Sequence, residues 1–421
     1  MLTAVVGINW GDEGKGRMVD LLSADYDIVC RYQGGNNAGH TVINDYGKIV
    51  LNLLPSGISR EGTVNVMGNG MVIDLEHLVH EIQSLRDKGI HIGPDNLKIS
   101  DKAVICLPWH KMQDIMEEDR LKDKKFGSTR RGIGPVYADK YMKKAVRMGD
   151  LFAPDKLPEK VADLTEWKNL TVRGYGHEPV KAEDILAWLH EFGDPIKPYI
   201  TDVSDYLYDA ATAGENIMFE AQLGALRDIE FGIYPYTSSS CTLAGYATIG
   251  AGIPGLKLDK TIGIMKAYSS CVGEGPFTVE MFGDEAEALR RAGGEYGAAT
   301  GRPRRVGAFD IPASRYGVRM HGADCIALTK MDVLSYMDKI PVCVAYDING
   351  EITEKFPVGE RLNAAKPVFE YMEGFGDISG CRKPEDLPKA AMDYIRYLEA
   401  AVGCKIKYVS VGAGRDEYVE L

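Results

Sequence analysis

Leu2 to Ile8 is a short apolar run rich in valine and bounded by glycine, and beyond Gly14 the spacing becomes helical, with Met18, Val19, Leu21 and Leu22 on adjoining faces. The order predicted is strand, glycine turn, helix. Asp27 to Tyr32 reads as a second strand, and Gly47 to Leu54, after the turn-like Asn44-Asp45-Tyr46-Gly47, as one arm of a hairpin. Further β-like runs are Val64 to Met67, Asn216 to Phe219, Thr261 to Lys266, Cys325 to Thr329, Ile340 to Ala345 and Lys405 to Val411. Segments of helical period such as Asp74 to Lys88 and Leu387 to Ala401 separate many of them. This alternation predicts an α/β fold with a large, mostly parallel central sheet flanked by helices. In such sheets ligands bind beyond the carboxyl ends of the strands. No repeat or Pro/Ser linker divides the chain, so residues 1–421 read as one large α/β domain with a helical insertion at about 109–213.

Composition narrows the class. Hydrophobic residues at 45% and charged residues at 26% exclude intrinsic disorder. Glycine, 47 of 421 residues, exceeds the usual share of about 7% and points to tight turns or backbone close to ligands. Eight cysteines without a CxxC pair fit a reducing cytoplasm. Met1 to Ile8 lacks the basic region and long apolar run of a signal peptide. The longest uncharged stretch, Phe231 to Leu256, is filled with Gly, Ser, Thr and Pro, so loops are expected there and no membrane span. A net charge of −12 argues against nucleic acid or an anionic membrane as the main partner.

Four stretches carry chemistry. The first, Trp10-Gly11-Asp12-Glu13-Gly14-Lys15-Gly16-Arg17, lies between the first strand and first helix. There backbone N–H groups, the helix N-terminus and Lys15 suit phosphate, giving a P-loop-like nucleotide site. It is not a Walker A loop, since Asn9 stands where the first glycine belongs and Gly16 replaces the magnesium-binding Ser or Thr. Asp12 and Glu13 would repel phosphate unless one holds a metal ion or acts as a base. The second, Arg31 to Thr41, is dense in glycine and amides and contains His40. The third, Thr329-Lys330-Met331-Asp332, directly after a strand, has the [NT]KxD form in which a carboxylate accepts from the ring N–H and exocyclic amine of guanine. The fourth, Phe219 to Gly224 continuing to Tyr234 to Ser240, offers amides and hydroxyls.

Basic residues cluster. Residues 120–147 hold ten Lys or Arg against two Asp, and 301–320 hold five Arg against Asp310. Arg302 and Arg304 suit an acidic substrate bidentately, while the lysine-rich part before Phe126 reads as a solvated face.

WGDEGKG, RYQGGNNAGHT, STRRGIGP, YPYTSSS, GAATGRPRR and TKMD, in this order, resemble the adenylosuccinate synthetase family, and the resemblance extends to Ser410-Val411-Gly412. It implies ligation of IMP and L-aspartate at the expense of GTP with Mg²⁺, through 6-phosphoryl-IMP, in a homodimer. It further implies Asp12 as general base and magnesium ligand, His40 as general acid, and the Gly39 carbonyl on magnesium. GTP would meet Gly11, Asp12, Glu13, Gly14, Lys15, Gly16, Arg17, Arg304, Lys330, Met331, Asp332, Ser410, Val411 and Gly412. IMP would meet Asn37, Ala38, Gly39, His40, Thr129, Lys143, Gln222, Ser238 and Arg302. L-Aspartate would meet Ala298, Ala299, Thr300, Gly301, Arg302 and Arg304.

Two positions depart from the pattern. The family reads FEGAQG where this chain has FEAQLG, so in register Leu223 takes the place of the glutamine. Lys143 replaces an arginine that reaches the neighbouring subunit's IMP phosphate, keeping charge but losing the planar fork. The alternatives are a paralogue acting on another purine nucleotide such as dGMP, in which the base position would be altered, or a GTP-binding regulatory protein without ligase activity.

Overall fold

The computed structural model describes residues 1–296, 301 and 303–421. Ten strands form the main sheet: β1 Leu2–Gly7, β2 Ile28–Arg31, β3 Val64–Met67, β4 Leu97–Ser100, β5 Ile200–Thr201, β6 Ile217–Glu220, β7 Lys260–Lys266, β8 Cys325–Thr329, β9 Ile406–Ser410 and β10 Tyr418–Glu420. Their spatial order is β10-β9-β8-β7-β1-β6-β2-β3-β4-β5. Every pairing is parallel except that of β9 with β10. Strands β1, β2, β6 and β8 are buried along their whole length, as a sheet covered on both faces requires.

Register places the loops. Val5 of β1 pairs with Glu220 of β6 and Ile262 of β7, and Glu220 pairs with Arg31 of β2. The segments leaving β1, β2 and β6 therefore emerge side by side at one edge, joined by those leaving β8 and β9.

The predicted hairpin is present, with His40–Asn44 against Gly47–Leu51. The run at Ile340 to Ala345 is a strand, but it belongs to a separate sheet. Lys339–Ile348 there pairs antiparallel with Glu351–Thr353 and Ala365–Glu373 and in parallel with Phe309–Asp310. Between residues 108 and 212 lie the helices Pro108–Leu121, Ile133–Tyr141, Leu157–Gly174, Ala182–Gly193 and Val203–Thr212, with β5 just before the last of these. Apolar residues of this stretch, including Trp109, Val161, Leu164 and Leu189, share one cluster with Met67 of β3 and Leu97 and Ile99 of β4. Among the described residues no helix is long and apolar enough to cross a membrane.

Candidate active site

The loop after β1 is folded around its own carboxylate. Gly11 and Gly14 take left-handed φ values of 99° and 94°, and Gly14 caps the helix Lys15–Leu22. Asp12 adopts φ 58° without the freedom of glycine. Glu13 turns inward and accepts from the N–H of Asn9 at 3.1 Å, the N–H of Gly11 at 2.7 Å and Lys15 Nζ at 2.5 Å. Lys15 and Glu13 are both about 2% exposed, and a buried ammonium requires a partner. In this structure Gly11, Glu13 and Lys15 are held to one another. Gly7 makes room for the pair, since a Cβ there would lie 2.5 Å from Glu13 Oε2 and 2.7 Å from Lys15 Nζ.

His40 opens the hairpin that follows β2 and is buried. Its Nδ1 lies 2.5 Å from Oε1 of Glu220, the last residue of β6. Glu220 also accepts from the N–H of Ser56 at 2.8 Å and the Ser56 hydroxyl at 2.5 Å. Burial pushes the His40 pKa below its ordinary value, and the opposing pull of Glu220 only partly offsets this. For Glu220 itself burial acts upward, but His40 and Arg31 outweigh it and hold the carboxyl below the usual range. Gly16 permits the approach, because a Cβ there would stand 2.5 Å from His40 Cβ. Before His40, the Asn37 side chain accepts from the N–H of Gly35 at 3.1 Å, the Ala38 carbonyl accepts from Asn52 at 2.7 Å, and Gly39 is exposed.

The β2 and β6 loops are joined by two glutamines. Gln33 Nε2 donates to the Gln222 carbonyl at 2.7 Å, Gln222 Nε2 donates to the Gln33 carbonyl at 2.9 Å, and both side chains are fully buried. Gln33 Oε1 accepts from Ser240 at 2.8 Å, and Ser240 Oγ is 3.2 Å from Ser238 Oγ. Gln222 Oε1 is buried without a partner among the described residues. Leu223 follows with a left-handed φ of 63°. Thr129 and Lys143 are exposed, the latter with φ 63°.

At the end of β8, Thr329 Oγ1 donates to the Glu13 carbonyl at 2.5 Å, tying TKMD directly to the phosphate loop. Lys330 Nζ donates to the Gly293 carbonyl at 2.6 Å and to Glu295 Oε1 at 3.1 Å. Asp332 is half-buried, its Oδ1 has no partner among the described residues, and burial raises its pKa above the ordinary carboxylate value. Arg304 Nη1 donates to Glu295 Oε2 at 3.0 Å, and its Nε lies 3.1 Å from Asp12 Oδ2 without pointing a hydrogen along that line.

A family model described as adenylosuccinate synthetase matches residues 4–419. The chain belongs to the adenylosuccinate synthetase family. It is 44% identical to the adenylosuccinate synthetase of Caldanaerobacter subterraneus subsp. tengcongensis, with 100% of this chain and 99% of that one covered. The fully ligated adenylosuccinate synthetase of Plasmodium falciparum has the same fold, with a TM-score of 0.92, 35% identity and coverage of 100% and 99%. Cyanophage S-2L succinoaminodeoxyadenylate synthetase, bound to dGMP and dATP, is similar at a TM-score of 0.61 and 18% identity over 100% of this chain and 95% of that one, a likeness of fold alone.

The other residues implied by the adenylosuccinate synthetase resemblance have the following surroundings. The side chains of Met331 and Val411 are fully buried in the apolar core. Arg17 is committed to the C-terminal segment, donating to Ser410, to the Gly414 carbonyl at 2.7 Å and to the Glu417 carbonyl at 3.0 Å. Gly412 packs against Glu417, whose Oε2 a Cβ would approach to 2.4 Å. Lys330 points at Glu295 and the Gly293 carbonyl. Ala298, Ala299, Thr300 and Arg302 lie outside the described residues, and Gly301 has φ 64°. Gln33, Glu220 and Glu295 join the site without having been predicted. Glu220 sits inside a quoted motif, and its position at the end of a buried strand was the available signal.

Proposed function

We infer that this chain joins IMP and L-aspartate to adenylosuccinate at the expense of GTP, the first committed step from IMP to AMP. The observation that carries this reading is the hydrogen bond from Thr329 Oγ1 to the Glu13 carbonyl, which joins the Thr329-Lys330-Met331-Asp332 turn to the loop after β1 that contains Asp12.

Asp12, at the mouth of that loop, takes the proton from the purine ring nitrogen. The six-position oxygen then attacks the terminal phosphorus of GTP. An oxygen–phosphorus bond forms while the bridging bond breaks, and GDP leaves with its electron pair. His40 stabilises the group in flight. In the free protein its Nδ1 proton is held on Glu220 and its low pKa leaves Nε2 unprotonated. A phosphoryl anion arriving there raises the proton affinity of the ring, so His40 becomes an acid only when it is needed. The amine of L-aspartate next attacks C6, and phosphate departs with the carbon–oxygen electron pair. Arg304 guides the aspartate carboxylates, together with Thr300 and Arg302. Asn37, Thr129, Gln222 and Ser238 hold IMP, and Lys143, exposed on its surface turn, reaches the IMP phosphate of a second subunit. Asp332, with an oxygen that has no partner among the described residues, reads guanine.

Mg²⁺ fits the donors present. Among the described residues there is no group of three or more His, Cys, Asp or Glu able to cage a metal, and an ion bound mainly through substrate phosphates needs only a carboxylate and a carbonyl. Asp12 and the Gly39 carbonyl would supply these, and the bound ion would supply positive charge to the phosphate oxygens.

Purified protein given IMP, L-aspartate, GTP and Mg²⁺ is expected to form adenylosuccinate, with no product when any one is omitted. Preference for dGMP over IMP in a competition assay would overturn the substrate assignment.

A further inference from the structure

Glu295 is fully buried and gathers cations from three separate segments. Its Oε1 accepts from Lys266 Nζ at 2.8 Å, from Lys330 Nζ at 3.1 Å and from the Tyr268 hydroxyl, while its Oε2 accepts from Arg304 Nη1 at 3.0 Å. Its backbone carbonyl also receives the Arg304 N–H at 2.9 Å. Lys266, itself 3% exposed, is braced by Ser270 at 2.5 Å. Three cations thus surround one carboxylate, and Asp12 balances the assembly from the far side of Arg304. Such packing is tolerable only while the carboxylate stays ionised and satisfied. It does stay ionised: burial alone would raise the Glu295 pKa, but Lys266 and Lys330 outweigh it and hold the group far below the usual carboxylate range.

We propose that Glu295 is a positioning residue that sets Lys330, on the guanine side, and Arg304, on the L-aspartate and Asp12 side, from one buried carboxylate. Lys330 follows β8, and Arg304 precedes the short strand Arg305–Gly307, so each arrives from a different part of the chain. Without the carboxylate, three mutually repelling cations lose their common acceptor, and the two that face substrates swing toward solvent. Of the residues assigned to IMP, Asn37, Gln222 and Ser238 form hydrogen bonds with Gly35, Gln33 and Ser240, none of which belongs to this cluster.

The inference rests on the substrate assignment above, and the experiment separates the two. Adenylosuccinate formation by the wild-type enzyme tests the assignment. Glu295→Gln then tests the inference. Losing the charge-assisted hydrogen bonds is expected to raise KM for GTP and for L-aspartate by about ten-fold each, with KM for IMP within about two-fold of wild type. A merely structural defect would shift all three together or lower kcat alone. Tyr268→Phe, which removes one donor and keeps the ring, is expected to show the same split at a few-fold size, so the question stays decidable if Glu295→Gln fails to fold. Equal changes in the three KM values, or none, in whichever variant is folded would overturn the proposal.

Discussion

His40 Nδ1 and Glu220 Oε1 stand 2.5 Å apart at the junction of the β2 loop and the end of β6, with Glu220 fully shielded from solvent. The carboxylate fixes which ring nitrogen carries the proton and leaves Nε2 for the reaction. Glu220→Gln keeps the shape and removes the charge. It is expected to lower kcat by about 10²-fold or more and to leave the KM values for GTP and IMP nearly unchanged, as read by initial-rate kinetics. An unchanged kcat would refute the role of the pair.

Glu13 and Lys15 form a second buried pair, and here the cost of separation falls on stability. Glu13→Gln strands a buried ammonium and sets an amide nitrogen against it if the remaining oxygen keeps the Asn9 and Gly11 N–H groups. Urea denaturation is expected to show a loss of about 3–5 kcal/mol, most of it absent when Lys15 is replaced by Met in the same chain. Additive losses in the double variant would show that the two side chains do not depend on each other.

The parts of this site that lie within one stretch of chain were legible in the sequence. Gly14 before a helical period and Thr329-Lys330-Met331-Asp332 after an apolar run both announce loops at strand ends, because strand, turn and helix are local patterns. The partners were not legible. Glu220 meets His40 across 180 residues, and Gln222 meets Gln33 across 189, separations that only the strand order β6-β2 closes. Lys339–Ile348 gave a clear apolar run, yet such a run does not say which sheet it joins. Ala365–Glu373 has no fully buried position and left no periodic signal.

Gly34 has no Cβ for a specific reason. A Cβ there would lie 1.3 Å from Gln222 Nε2, and the backbone holds φ at 75°. Gly34→Ala is expected to expel the Gln222 amide, raise KM for IMP and cost about 1–3 kcal/mol by thermal or chemical denaturation. Adding Gln222→Ala removes the clash but not the strained φ, so the double variant is expected to recover part of the stability and none of the IMP affinity. Recovery of affinity would show that Gln222 is not an IMP contact.

His321 gives the stability of the enzyme a predictable acid limb. It lies beneath the phosphate loop, where Nε2 donates to the Gly7 carbonyl at 2.9 Å and Nδ1 accepts from the N–H of Ala244 at 3.1 Å. The Nδ1 contact requires the neutral ring, the bond to Gly7 can be made by either form, and burial pushes the pKa down to about 4. In the unfolded chain the same ring titrates near its ordinary value of about 6.5. Between these two values the unfolded state holds a proton that the folded state refuses, so stability is full above pH 6.5 and is lost as pH falls toward about 4. The difference is worth at most about 3 kcal/mol. Burial lowers the His40 and His110 pKa values in the same direction, so the slope has more than one source. His321→Asn should therefore be less stable than wild type at neutral pH, having lost its fitted hydrogen bonds, and should lose less on acidification. Urea midpoints taken from pH 7 to pH 4 measure both effects. A slope identical to that of wild type would remove His321 from the acid response and leave it to the other buried histidines.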